Sequence, residues 1–404
     1  MDEERGKAGE PCLDGALGRL LDLGHRITPH QLPTVIEEVG VELGAQTVRI
    51  WLADIQHREL VLLGDGAKGT PREVLAIEGT AAGRAFTSDS LVVREREGGG
   101  THLWLPLLDG VDRVGILELE VEDLDEGRRV SFCRLATIVT AEILSRGHYT
   151  DQITVTRRRG PMSLAAELQW QALPPSSFSA ADVTVAAMVE PAYETGGDTY
   201  DYAHQPNGLG FSVLDAVGHD LGATLVSTLA LGAYRNQRRL GADLATMGAA
   251  MDEAIVEQIG DAAYATGQLA HLDTTTGLLR FLNAGHPLPL LIRGGKVIGP
   301  IACPPRLPFG LGHLRPDAKP CITEIHLEPM DAVLLYTDGV IEARTPHGTD
   351  FGIDRLDESL QRAFAADLPL AETVRRLSNA VIDHHKGQLD DDATNLLVRW
   401  HPQR

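Results

Sequence analysis

The sequence predicts an α+β chain of two domains, and three observations carry that prediction. A length of 404 residues, 43% of them hydrophobic, exceeds a typical single domain and supplies apolar material for more than one core. Strand-like runs are segregated from helical runs rather than alternating with them, which points to layered α+β architecture. Between about 149 and 180 the composition shifts, and the stretch TRRRGPMSLAAELQWQALPP brings a basic cluster and a Pro-Pro stop. The expected division is a polar tail over 1–14, a mixed α/β domain over 15–148, a linker helix over 149–180 and a β-rich domain over 181–404.

Charge narrows the function classes. Against 36 Lys and Arg stand 57 Asp and Glu, a formal net charge of −21, which repels a nucleic-acid backbone or an anionic bilayer over most of the surface. Neither nucleic acid nor a membrane is expected as a partner. Cys12, Cys133, Cys303 and Cys321 show no CxxC spacing, so neither a zinc site nor a disulfide framework is signalled, and a reducing compartment fits. No stretch reaches the roughly 20 apolar residues of a bilayer span, and the opening MDEERGKAGEPC lacks the apolar core of a signal peptide. The expectation is a soluble, cytoplasmic protein.

In the first domain, LPTVIEEVGVELG (32–44) has helical apolar spacing and ends at a glycine, while TVRIWLAD (47–54) and ELVLLG (59–64) read as strands joined by a polar turn. THLWLPLLDGVDRVGILELEVED (101–123) predicts a hairpin around Asp109-Gly110, and SFCRLATIVTAEILSRG (131–147) an amphipathic helix with Cys133 among its apolar residues. This order, with IEGTAAGRAF (77–86) feeding a loop before the hairpin, resembles a GAF domain. The resemblance implies a sensory or dimerising role, and no residue declares a ligand. In the linker, Leu164, Leu168 and Ala172 recur at helical spacing, and the run Arg157 to Arg159 reads as a solvated face.

The second domain reads as strands at 182–191 and 208–217, helices at 222–240 and 244–259, a β-meander over 264–297, the strand DAVLLYTDG, helices near 353–365 and 370–385, and a last strand at 393–400. Carboxylates recur beside these apolar strands. ETGGDTYDY carries Asp198, SVLDAVGHD carries Asp215, YTDGV carries Asp338, and LDDDATNLLV carries Asp390, Asp391 and Asp392. A lone Asp-Gly is usually a capped turn, but four such clusters converge if the strands share a sheet system. Converging carboxylates repel one another unless cations neutralise them, and an all-oxygen donor set suits Mg²⁺ or Mn²⁺.

The ordered motifs GGDTYD, LDAVGHD, NAGHPLPLL, YTDGVIEA and DDAT together resemble the PPM-type metal-dependent protein phosphatases, in particular their SpoIIE-like bacterial branch. The resemblance implies a β-sandwich flanked by helices with two Mn²⁺ or Mg²⁺ ions at one edge. It implies that Asp215 bridges both ions with the Ala216 carbonyl beside it, that Asp338 and Asp391 hold the second ion, and that Asp198 binds or orients the water shell of the first. Gly339, Asp392 and His219 are further candidates. The implied reaction is hydrolysis of a phosphoserine or phosphothreonine by a metal-activated water, the expected substrate a STAS-domain anti-anti-sigma factor, and the expected assembly a homodimer. Phosphomonoester hydrolysis is so slow uncatalysed that paired divalent cations are a natural catalyst for it. Two departures stand out: VEPAYETGGD offers no arginine to grip phosphate, and His219 lies four residues after Asp215 rather than two. His286, in NAGHP, reads as a turn residue. The GGD core also fits a cyclase motif, but Thr199, ahead of Tyr200, stands where that chemistry needs an acidic group. A phosphatase-like scaffold without turnover and a small-molecule phosphoesterase remain as alternatives.

Overall fold

The computed structural model describes residues 15, 18–20, 22, 27–64, 72–191, 193, 196–218, 220–304, 306–318, 320–345, 347–386, 389 and 391–402. The chain forms two compact units, Met1–Arg159 and Gly160–Arg404. The first is built on an antiparallel sheet of β1 (Ala45–Ala53), β2 (Glu59–Leu62), β3 (Val74–Ala76), β4 (Val92–Glu95), β5 (Thr101–Asp109) and β6 (Asp112–Val121), in the order β3-β2-β1-β6-β5-β4. One face of the sheet buries Ile50, Leu103, Leu117 and Leu119 against Ile36 and Val39 of α1 (Leu32–Glu42) and Phe132, Leu135 and Val139 of α3 (Glu126–Gly147). The other face buries Trp51 and Trp104 against Phe86 of α2 (Ala81–Ser88). Because both faces are covered, β6 is buried over nearly its whole length, Arg113 and Glu118 included. The β5–β6 hairpin turns at Asp109 and Asp112 with Gly110 at φ 62°, a backbone conformation that favours glycine. Cys133, expected in the core, is exposed on α3; the 3.6-residue period sends Phe132, Leu135 and Ala136 inward and their neighbour outward.

The stretch 149–180 is not one linker helix. Gly160-Pro161 breaks it into α4 (Asp151–Arg157) in the first unit and α5 (Leu164–Ala172) in the second. The basic run, expected to be a solvated face, is engaged within the first unit: Arg157 Nε donates to the Ala53 carbonyl at 2.9 Å and Arg159 lies 3.3 Å from Glu59.

The second unit is a sandwich of two antiparallel sheets. One has the order β15-β12-β11-β10-β9, from β9 (Asp198–Gln205), β10 (Gly208–Ala216), β11 (Ala265–Asp273), β12 (Leu278–Ala284) and β15 (Thr323–His326). The other has the order β14-β13-β16-β17-β8-β7, from β7 (Ser177–Ser179), β8 (Val183–Glu190), β13 (Leu290–Arg293), β14 (Lys296–Pro300), β16 (Ala332–Tyr336) and β17 (Ala393–Trp400). The expected meander therefore changes sheets halfway: β11–β12 belong to the first and β13–β14 to the second, with the Asn283–Pro289 segment crossing between them.

Period-two alternation sorts the side chains of each strand. In β16, Val333 and Leu335 face the space between the sheets, whereas Ala332, Leu334 and Tyr336 face the helices α9 (Gly352–Ala365) and α10 (Leu370–His385). In β10, Leu209, Phe211 and Val213 fill the sandwich, whereas Leu214 and Ala216 meet α6 (Leu221–Arg239) and α7 (Leu244–Gln258). Each buried Leu or Val contributes roughly 1.5–3 kcal/mol, so two-sided burial makes these short strands rigid mounts for the polar residues at their ends. Among the described residues no helix is long and apolar enough to cross a membrane.

Candidate active site

The carboxylates meet where the ends of the two sheets approach. Asp198 opens β9 and stands directly across the ladder from Asp215 near the end of β10, so the two share one face of that sheet. From the other sheet come Asp338, at the start of the short helix α8 (Asp338–Glu342) after β16, and Asp391 and Asp392, leading into β17. Two threonines bind the groups together: Asp198 is 1% exposed, and its Oδ2 accepts from Thr337 Oγ1 at 2.8 Å and from Thr394 Oγ1 at 2.6 Å. Thr337 Oγ1 also accepts from the Thr394 amide at 2.9 Å, tying β16 to β17.

Asp392 is held from the opposite side. Its Oδ2 accepts from the amides of Gly197 and Asp198 at 2.9 and 3.0 Å, while its buried Oδ1 has no hydrogen-bond partner. Glycines make this approach feasible. A Cβ on Gly196 would lie 2.1 Å from Thr224 Oγ1, and one on Gly339 would lie 2.0 Å from the Asp392 carbonyl oxygen. The glycine of TDG therefore admits the incoming β17 strand rather than forming a mere turn.

Burial and mutual repulsion raise the proton affinity of the group. Asp198 is pushed well above the usual carboxylate range by burial and then by the charges of Asp215 and Asp392. Burial, with the charges of Asp338, Asp391 and Asp392, pushes Asp215 up to about 7. Burial, opposed by the Asp198 amide and reinforced by the Asp391 charge, takes Asp392 to about 7. Beneath Asp215, Thr266 Oγ1 lies 3.4 Å from Asp215 Oδ2 and 2.8 Å from His286 Nδ1, and Asn283 exchanges hydrogen bonds with the His286 backbone. His286 is buried, and burial pushes its pKa down to about 3, so it stays neutral and supports Thr266. A cavity of about 170 Å³ opens beside the carboxylates, lined among others by Asp338, Asp391, Glu342, Arg344 and His385.

Asp198, Asp215, Asp338, Asp391 and Asp392 are thus brought together, and Ala216 is buried beside Gly197, its amide 3.2 Å from the Gly197 carbonyl oxygen. His219 and Asp390 lie outside the described residues. Asp391 and Asp392, inseparable by sequence, part company here: Asp391 is exposed and lines the cavity, whereas Asp392 is buried against the Gly197-Asp198 backbone. Sequence reasoning missed Thr337, Thr394, Thr266, Arg344 and Gln169 of α5. The available signal was a threonine beside two of the acidic motifs, in YTDG and DDAT, each a buried hydroxyl that needs a hydrogen-bond partner. Among the described residues no group of three or more Asp, Glu, His or Cys side chains is arranged closely enough to hold a metal ion. The donor set nonetheless fits a hard divalent cation, because it is all oxygen and leaves the buried Asp392 Oδ1 unsatisfied.

Residues 205–401 match the family model of stage II sporulation protein E, SpoIIE. Over that stretch the second unit is similar to the SpoIIE family. Asp215, Asp338, Asp391 and Asp392 fall inside the matched stretch, and Asp198 just precedes it. Protein IcfG of Synechocystis sp. is 30% identical over 152 residues, which cover 36% of this chain and 22% of IcfG, so the chain matches about a fifth of that relative's length. The structure of the RsbU and RsbW domains of Rv1364c from Mycobacterium tuberculosis aligns with 24% identity and a TM-score of 0.49, covering 58% of this chain and 64% of that one. The PP2C phosphatase domain of SpoIIE from Bacillus subtilis, with a fragment of its regulatory domain, aligns with 16% identity and a TM-score of 0.46, covering 79% of this chain and 83% of that one. In the second unit the carboxylates lie at the ends of strands from both sheets.

Proposed function

We propose that the second unit is a SpoIIE-like, metal-dependent phosphoserine/phosphothreonine phosphatase. The observation that carries this reading is the gathering of Asp198, Asp215, Asp338, Asp391 and Asp392 from the ends of both sheets, close enough that their charges raise the proton affinity of Asp198 and Asp215. Asp215 and the Ala216 carbonyl would serve two Mn²⁺ or Mg²⁺ ions jointly, Asp338 and Asp391 would hold the second, and Asp198 and Asp392 would complete the surroundings of the first. When bound, such ions polarise phosphoryl oxygens and acidify a water. The chain's own residues do the positioning. Thr337 and Thr394 fix the Asp198 carboxylate, Thr266 steadies Asp215, and Arg344, on the rim of the cavity with Asp338, supplies the cationic grip on phosphate that the segment before Asp198 lacks.

The first unit is read as a GAF-like sensory and dimerising domain, the substrate as a phosphorylated STAS-domain anti-anti-sigma factor, and the setting as the cytoplasm. Phosphate release from a phosphoserine protein and from para-nitrophenyl phosphate, measured with Mn²⁺ and after chelation, tests the central reading. Turnover that survives exhaustive chelation would remove the metal-dependent mechanism.

A further inference from the structure

Helix α5 contains a side chain with no role in closing the core. Gln169 is fully buried, and its Nε2 donates to the Asp198 carbonyl at 2.5 Å and lies 3.5 Å from Asp392 Oδ2. Both neighbours are acceptors, so the amide must present its nitrogen to them; reversed, it would set oxygen against oxygen. Asp392 Oδ2 therefore faces three donors, the amides of Gly197 and Asp198 and the Gln169 side chain, which leaves only Oδ1 to face away from α5.

The helix is itself firmly placed. Ser163 Oγ caps its first turn by accepting from the Ala166 amide at 3.1 Å. The Pro174 and Pro175 carbonyls that follow it accept from Tyr200 and Tyr202 of β9 at 3.2 and 2.8 Å. Arg235 of α6 donates to the Ala172 carbonyl at 2.7 Å. Gly196 runs between α5 and α6 with no space for a side chain, since a Cβ there would stand 3.0 Å from Ala165 Cβ and 2.1 Å from Thr224 Oγ1. A shift of α5 is thus conveyed to Asp198 and Asp392 both through the Gly196-Gly197 backbone and through Gln169.

We infer that Gln169 is a positioning residue for the cation site: it fixes which oxygen of Asp392 is open, and it makes cation affinity depend on the seat of α5. This rests on the metal-dependent reading above. Removing a hydrogen-bond partner behind a metal-binding carboxylate typically costs about 10–100-fold in metal affinity. The test is isothermal titration of the full-length protein with Mn²⁺, with circular dichroism to establish folding and turnover measured at saturating Mn²⁺. Gln169→Met keeps the length and removes the donor; Mn²⁺ affinity is expected to fall about tenfold while turnover at saturation changes less. Ser163→Ala, which loosens the first turn of α5 and leaves Gln169 in place, is expected to shift affinity the same way by a smaller factor, and it decides the matter should Gln169→Met fail to fold. Wild-type affinity in a folded Gln169→Met protein, or in Ser163→Ala if only that variant folds, would overturn the inference alone. Absence of Mn²⁺ binding by the wild-type protein would overturn it together with the reading on which it rests.

Discussion

Asp392 divides its two oxygens between different tasks: one is held by backbone amides, the other is buried with nothing to accept from. A carboxylate in this position is costly to ionise alone, and the same holds for Asp198 and Asp215, whose proton affinity is raised by burial first and then by neighbouring charges, those of Asp215 and Asp392 on Asp198 and those of Asp338, Asp391 and Asp392 on Asp215. The sign of the resulting pH dependence follows. With folded-state values near 7 for Asp215 and Asp392 against an ordinary 3.8, the native state holds more protons than the unfolded chain between those limits. Stability without divalent ions should therefore fall as pH rises through that window. Thermal unfolding in chelator is expected to give a lower midpoint at pH 8 than at pH 5, and Mn²⁺ is expected to recover the loss at pH 8. A midpoint that rises with pH in chelator would contradict this account. Asp215→Asn is expected to cut turnover and Mn²⁺ affinity by orders of magnitude with the fold intact, as checked by titration and circular dichroism. Arg344→Ala, at an exposed cavity wall where Arg344 Nε donates to Asp350 at 2.7 Å, is expected to raise KM for phosphorylated substrate several-fold with a smaller effect on kcat, since it removes the proposed phosphate grip and no carboxylate.

At the scale of elements, the apolar strands were legible because both faces of each are covered, which makes AVLLY and ATNLLVRW stand out in any window. The clustering of Asp198, Asp215, Asp338 and the Asp391-Asp392 pair was legible for the same reason: a charge that stops such a run is conspicuous. What periodicity does not encode is which sheet a strand joins. The switch between β12 and β13 depends on the Asn283–His286 hydrogen bonds, and the splitting of 149–180 depends on which unit each helix packs upon, both long-range outcomes. Thr337 and Thr394 were overlooked because a threonine inside a strand is good β-former and hydrogen-bond donor at once. Their second role can be isolated: Thr394→Val keeps shape and β-propensity while removing a donor to Asp198. It is expected to weaken Mn²⁺ binding about tenfold, by the same loss of support behind a ligand, and titration of the folded variant checks it. Gly339→Ala breaks the site from the other direction, because its methyl meets the Asp392 carbonyl oxygen.

Over the whole molecule, a net charge of −21 surrounds a site proposed to receive a phosphorylated, hence anionic, group. The topology adds a constraint of another kind. β17, the last strand of the sandwich, lies between β16 and β8 in the interior of its sheet, and it carries Thr394 just after Asp391 and Asp392. β8, one of the first strands of the unit, must wait for that distant partner before its Val183 to Glu190 ladder can close on Trp400 to Ala393. During biosynthesis, then, every carboxylate from Asp198 to Asp338 is made before the strand that assembles them exists, and the carboxylate cluster stays unassembled until β17 has emerged from the ribosome.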